Sequence, residues 1–131
     1  MKKIGILNSQ LSAVIASMGH GDFIVSGDAG LPAPPEVKCI DLALKSGIPS
    51  LLETVEAIAS ELKVEGIIIA EETGKVSPHI KAALLQLFEG VEVEVMSHEA
   101  LKERSKQAKA LVRTGEFTPY ANVILVSGCL F

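Results

Sequence analysis

Apolar positions along the chain alternate between helical and strand-like periods. Within residues 8–18, Leu11, Val14, Ile15 and Met18 recur at helical spacing, with Asn8 or Ser9 placed to cap the start and Gly19 to stop it. Phe23-Ile24-Val25 reads as a short strand ending at Ser26-Gly27-Asp28. Pro32, Pro34 and Pro35 follow, and their missing N–H groups and fixed φ make residues 29–36 a loop. Residues 37–42 form a candidate strand. Ser50 and Glu53 have capping-box spacing, and Leu52, Val55, Ile58, Ala59 and Leu62 form one helical stripe behind them. Residues 64–71, with Ile67-Ile68-Ile69 inside, have the unbroken apolar character of a strand buried on both faces.

Ser77-Pro78 opens a further helix as cap and first position, with Ile80, Leu84, Leu87 and Phe88 as its stripe and Gly90 as its end. Val91, Val93 and Val95 alternate with Glu92 and Glu94, the pattern of a half-exposed strand. Ser97 caps a polar helix running to about residue 108. Residues 109–114 and 122–127 read as two last strands around a polar loop. Strands alternating with helices predict an α/β fold: a single layered domain over residues 1–131, with a mostly parallel sheet flanked by helices.

Composition sharpens this picture. Hydrophobic residues make up 48% of the chain but aromatics only 4%, and mean hydropathy is +0.39. A small domain has much surface to keep wet, so either strands are buried on both faces or other subunits cover part of the surface. Twelve basic against 16 acidic residues give a net charge of −4. The bases are dispersed, and their densest stretch, Lys102 to Lys109, also carries Glu103, which argues against nucleic acid as a partner. Cys39 and Cys129 lie far apart and outside any ligand spacing, as expected of reduced, buried thiols in a cytosolic protein. The apolar run after Lys2-Lys3 is too short for a signal peptide, and later apolar runs are strand-length, so no membrane association is expected.

Cofactor motifs are absent. No Gly-rich phosphate loop, dinucleotide fingerprint, metal-ligand spacing or nucleophile elbow occurs. Polar residues at element ends remain. His20, between Gly19 and Gly21, is open to approach by a ligand, and histidine is the ordinary residue for proton transfer near neutral pH; equally, it sits where a helix C-terminus favours positive charge. Asp28 ends a strand, where α/β sheets place ligand contacts, or it closes an Asx turn on its own backbone. Asp41 reads as structural and His79 as surface. His98, at a strand-to-helix junction, reaches the sheet's carboxyl edge if its strand is parallel to the others. The run Arg113-Thr114-Gly115-Glu116-Phe117-Thr118-Pro119-Tyr120-Ala121-Asn122 crowds polar groups into one loop, with Tyr120 and Asn122 a donor–acceptor pair suited to a polyhydroxylated ligand. Alternatively, Tyr120 covers the sheet edge and Asn122 caps the strand.

Together, Met18-Gly19-His20-Gly21-Asp22, Asp28-Ala29-Gly30-Leu31-Pro32, Ile40-Asp41-Leu42-Ala43-Leu44 and the run from Arg113 to Asn122 resemble the D-ribose pyranase family, within the ribose pyranase and fucose mutarotase superfamily. The matching runs spread over nearly the whole chain. The resemblance implies a cytoplasmic isomerase, without metal or organic cofactor, that interconverts β-pyranose and β-furanose D-ribose. It implies His20 as proton donor, and Asp28, His98, Tyr120, Ala121 and Asn122 as substrate-binding residues. A ring-based homodecamer with sites at subunit contacts is also implied. Two other readings stand beside it. A fucose-type mutarotase would open the same ring but reclose on the same oxygen. A non-catalytic sugar-binding subunit would need Asp28, Tyr120 and Asn122 but no titratable His20.

Overall fold

A computed structural model describes residues 1–131. The elements run α1 (Ser9–Ser17), β1 (Phe23–Gly27), β2 (Cys39–Asp41), α2 (Leu51–Ala59), β3 (Val64–Ala70), α3 (Glu71–Val76), α4 (Pro78–Leu87), β4 (Glu92–Met96), α5 (His98–Ser105), β5 (Ala110–Arg113) and β6 (Val123–Ser127). The strands form one six-stranded sheet in the order β2-β5-β1-β6-β3-β4. Helix starts follow the local chemistry. Asn8 accepts from the Leu11 N–H, Ser97 from that of Ala100, and Ser50 and Glu53 close a reciprocal capping box.

The sheet is mixed. Strands β1 to β5 run in one direction and β6 opposes both of its neighbours, β1 and β3. The reason lies in the connection. Residues 114–122 between β5 and β6 contain no helix and are fewer than the dozen or so that a parallel crossover needs. The chain therefore turns back along the far side of β1.

Alternate residues of the central strands feed two cores. Ile24, Ile67, Ile69, Val112, Val123 and Leu125 face the larger one, with apolar side chains of α1, α2 and α4. Val25, Ile68, Leu111 and Ile124 face the smaller, closed by Leu101 of α5 and by Leu31 and Val37 from the proline-rich loop. That loop thus does a helix's work, covering one face between β1 and β2.

Four expectations need correction. The strand expected to end at Glu71 stops at Ala70, and a helix, α3, begins at once. The helix after Ser97 ends at Ser105 rather than near residue 108. β4 is not half-exposed: it is an edge strand with Glu92, Val93, Glu94 and Val95 all exposed, because little packs on either of its faces. The cysteines are free but not buried, Cys39 being exposed at β2 and Cys129 half-buried beyond β6. Leu7, Leu44, Ile48, Val95 and Phe117 are exposed apolar side chains, so part of the surplus hydropathy sits on the surface.

Candidate functional site

The carboxyl ends of β1, β4 and β5 share one edge of the sheet with the start of β6. Asp28 follows β1 there, His98 opens α5 directly after β4, and Tyr120-Ala121-Asn122 leads into β6. Asn122 is fully buried. Its Oδ1 accepts the Asp28 N–H at 2.9 Å, while its Nδ2 has no partner. Asp28 Oδ1 accepts from the Gly30 N–H at 2.9 Å, so the Asx turn forms and occupies only that oxygen. The His98 ring stands edge-on to Tyr120, with centroids 5.0 Å apart and planes at 81°, and its Nδ1 is buried and unpaired. An orphaned buried polar atom costs about 1–3 kcal/mol, and native structures leave few of them. Asn122 Nδ2 and His98 Nδ1 therefore remain as polar groups free to bond a ligand, with the Asp28 backbone tied to the same Asn122 side chain. The third orphan, Ser26 Oγ, lies within β1 itself. Ala121 is fully buried in the larger core and its N–H donates to the Thr118 carbonyl at 3.3 Å, so its side chain meets no ligand and it serves to space Tyr120 from Asn122.

Helix α3, missed in the sequence, holds this arrangement together. Tyr120 has φ 58°, in the left-handed region that a bulky side chain rarely adopts, at a cost of about 1–3 kcal/mol. Thr73 Oγ donates to the Tyr120 carbonyl at 2.7 Å and Ser77 Oγ to that of Pro119 at 2.6 Å, pinning the loop. Glu72 Oε2 accepts the His98 backbone N–H at 2.8 Å. Its carboxyl is held below the usual range, foremost by its own backbone N–H and then by that of His98. The signal for α3 was present: an acidic pair, Glu71-Glu72, is the usual first turn of a helix. Thr73→Val leaves the Tyr120 carbonyl unpaired and is expected to lower stability by about 1–3 kcal/mol, read from urea melts.

Beside Asp28 lies a cavity of about 380 Å³, walled by Asp28, Gly30, Arg113, Glu116, Phe117 and Thr118 among others. Asp28 alone of the expected residues lines it. Its other charged walls are already engaged. Arg113 donates to the Ala29 carbonyl at 3.0 Å and to Asp41 at 2.8 Å. Glu116 accepts from the Leu51 N–H at the start of α2 and from the Thr118 hydroxyl. Asp41 is thus structural, as expected. No group of three or more His, Cys, Asp or Glu side chains is placed to hold a metal ion.

His20 is elsewhere. It sits before β1, at the opposite edge of the sheet from Asp28, and the strand between them spans about 17 Å at ~3.3 Å per residue. Its loop is closed by the Gly21 N–H donating to the Ser127 carbonyl and the Ser127 N–H to that of Asp22, both at 2.8 Å. Gly21 has φ +83°, which only glycine adopts at little cost. The exposed imidazole places Nε2 3.0 Å from both carboxylate oxygens of Glu65, a residue that the sequence did not single out. One chain therefore gathers Asp28, His98, Tyr120 and Asn122 but leaves His20 apart.

Asp22 shapes the turn that carries His20. Its carboxylate accepts the Gly19 N–H at 2.8 Å and pairs with Lys109 at 3.4 Å. The Gly19 bond foremost, with help from Lys109, holds its pKa below the ordinary 3.8. Because the folded value is the lower one, the stabilisation is present above the unfolded value and is lost as pH falls through the folded one. Urea midpoints of wild type and Asp22→Asn are expected to differ at about pH 6 and to converge toward about pH 3.

A model of the RbsD / FucU transport protein family matches residues 1–130. The chain is 62% identical to a D-ribose pyranase of Chloroflexus aggregans over 131 residues, covering 100% of both. It superposes on the structure of Bacillus subtilis RbsD complexed with D-ribose with a TM-score of 0.97 at 50% identity, covering 100% of each chain. A fucose mutarotase of Streptococcus pneumoniae in complex with L-fucose is also similar, with a TM-score of 0.84 at 28% identity and 100% of each chain covered.

Proposed function

The chain belongs to the RbsD / FucU family, and on that premise we infer that it interconverts the pyranose and furanose rings of D-ribose. The observation that carries this reading is full-length identity of 62% to a D-ribose pyranase, against 28% to the fucose mutarotase. The chemistry needs only proton movement. A base takes the anomeric hydroxyl proton, an acid protonates the ring oxygen, and the bond from C1 to that oxygen breaks to give the open aldehyde. The 4-hydroxyl then attacks C1 in place of the 5-hydroxyl, and the protons return. Nothing is oxidised, reduced or transferred.

Residues at the carboxyl edge suit the binding half of this task. The free oxygen of Asp28 accepts from a sugar hydroxyl, Asn122 Nδ2 donates to one, and His98 Nδ1 does either according to its tautomer. Tyr120, edge-on to His98, completes the rim, with the buried Ala121 fixing its place beside Asn122. His20 protonates the ring oxygen. Since it lies beyond the reach of a pentose held at Asp28, it serves the site of a neighbouring subunit. The homodecamer expected from the family resemblance supplies such a neighbour, and the exposed Leu44, Ile48, Val95 and Phe117 offer apolar contact surface. Residues 1–131 then act as one sugar-isomerising domain.

No helix is long and apolar enough to cross a membrane, and the free thiols of Cys39 and Cys129 suit the reducing cytoplasm. Saturation-transfer NMR tests the activity. Exchange between ribopyranose and ribofuranose is expected to accelerate with added protein; acceleration confined to the anomers of L-fucose would favour the mutarotase reading instead.

A further inference from the structure

Glu65 is the one side chain bonded to the His20 imidazole, and nothing in the ring-opening scheme uses it. We infer that Glu65 is a positioning residue: it grips His20 through Nε2 and leaves Nδ1 as the nitrogen that exchanges the proton with the sugar. The inference rests on the pyranase reading above.

Three observations support it. First, a carboxylate only accepts hydrogen bonds, so with both its oxygens 3.0 Å from Nε2 the proton sits on that nitrogen. An imidazolium held this way keeps Nε2–H on Glu65 and presents Nδ1–H to the ring oxygen. Once that proton is given up the neutral ring has a bare Nδ1 that takes a proton back from the sugar, and His20 Nδ1 makes no bond within the chain. Second, β3 leaves regular pairing with β6 between Val64 and Gly66, a bulge centred on Glu65. Bulges of this kind re-aim a side chain. Third, Gly128 clears the space that Glu65 crosses: a Cβ there would lie 2.7 Å from Glu65 Cβ and 2.9 Å from Oε2. The other carboxylate of the turn, Asp22, is committed to Gly19 and Lys109.

Stability does not account for the pair. His20 and Glu65 side chains are 58% and 43% exposed, and ion pairs so open to water contribute little to stability. A bulge and a bare glycine are much local specialisation for so small a gain. Their effect is to fix the direction and tautomer of a ring that would otherwise turn freely in solvent.

The test uses the full-length assembled protein, with assembly of each variant checked by size-exclusion chromatography. Glu65→Ala is expected to slow ribose ring exchange by about 10- to 10²-fold, less than the roughly 10²–10⁴-fold of losing the acid–base group itself, chiefly in kcat with KM little changed. In a His20→Ala background the same change costs nothing further, because Glu65 acts only through His20. Glu65→Gln, which still accepts from Nε2–H, retains most of the rate. Long-range 1H–15N spectra are expected to show the Nε2–H tautomer of His20 in wild type and a mixture in Glu65→Ala. Wild-type rates in Glu65→Ala, an equal loss in the His20→Ala background, or an Nδ1–H tautomer in wild type would each overturn the assignment. Absence of ribose exchange in wild type would instead sink the pyranase reading, while the tautomer spectra would still judge Glu65.

Discussion

Replacing His20 by alanine is expected to slow pyranose–furanose exchange of D-ribose by about 10²–10⁴-fold, equivalent to ~3–5 kcal/mol of barrier. The ring oxygen of a hemiacetal leaves poorly as an alkoxide, so an acid placed to protonate it carries much of the acceleration. Some exchange persists, because sugars open spontaneously in water and the binding groups remain. Sugar affinity is expected to change little, since the groups that hold the sugar hydroxyls, Asp28, Asn122 and His98, come from the other subunit of each shared site and are untouched by the substitution. Saturation-transfer rates and a ribose titration of the same variant separate the two effects. Unchanged exchange with weakened binding would make His20 a sugar contact and not an acid. A purely sugar-binding subunit would show no accelerated exchange in wild type to lose.

The groups at the carboxyl edge were legible because each sits where a period ends. Asp28 closes an apolar run, His98 follows a strand and its capping Ser97, and Asn122 precedes the last strand. Local chemistry of this kind also announced the helix starts at Asn8, Ser50 and Ser97. Features set by long-range pairing were harder to see. The reversal of β6 depends on where β1 and β3 lie, although the helix-free loop after β5 was a usable sign. Helix α3 is six residues long and mostly polar, so it offers no periodicity to detect, yet it supplies Glu72 and Thr73 to the site. Glu65 was invisible for a plainer reason. It looks like any polar residue of a strand until the bulge and Gly128 bring it to His20. The element order, by contrast, already held the division of the site, since a strand separates His20 from Asp28 along the chain.

That division predicts complementation. His20→Ala and Asn122→Ala proteins are each expected to be nearly inactive, one lacking the acid and the other a buried sugar donor. Co-refolded at equal amounts, they form mixed assemblies in which some sites take His20 from an Asn122→Ala subunit and Asn122 from a His20→Ala subunit. If subunits mix at random, about a quarter of the shared sites are intact, so activity is expected to return to roughly 25% of wild type. A site formed within one chain would show no recovery at any mixing ratio, because every chain carries a lesion. The ratio dependence adds a second check. With two lesions on opposite sides of each contact, the intact fraction follows the product of the two subunit fractions and peaks at equal amounts. Combining both substitutions in one chain and mixing it with wild type gives the reverse control: a shared site then loses activity as the square of the wild-type fraction, whereas a site within one chain loses it linearly.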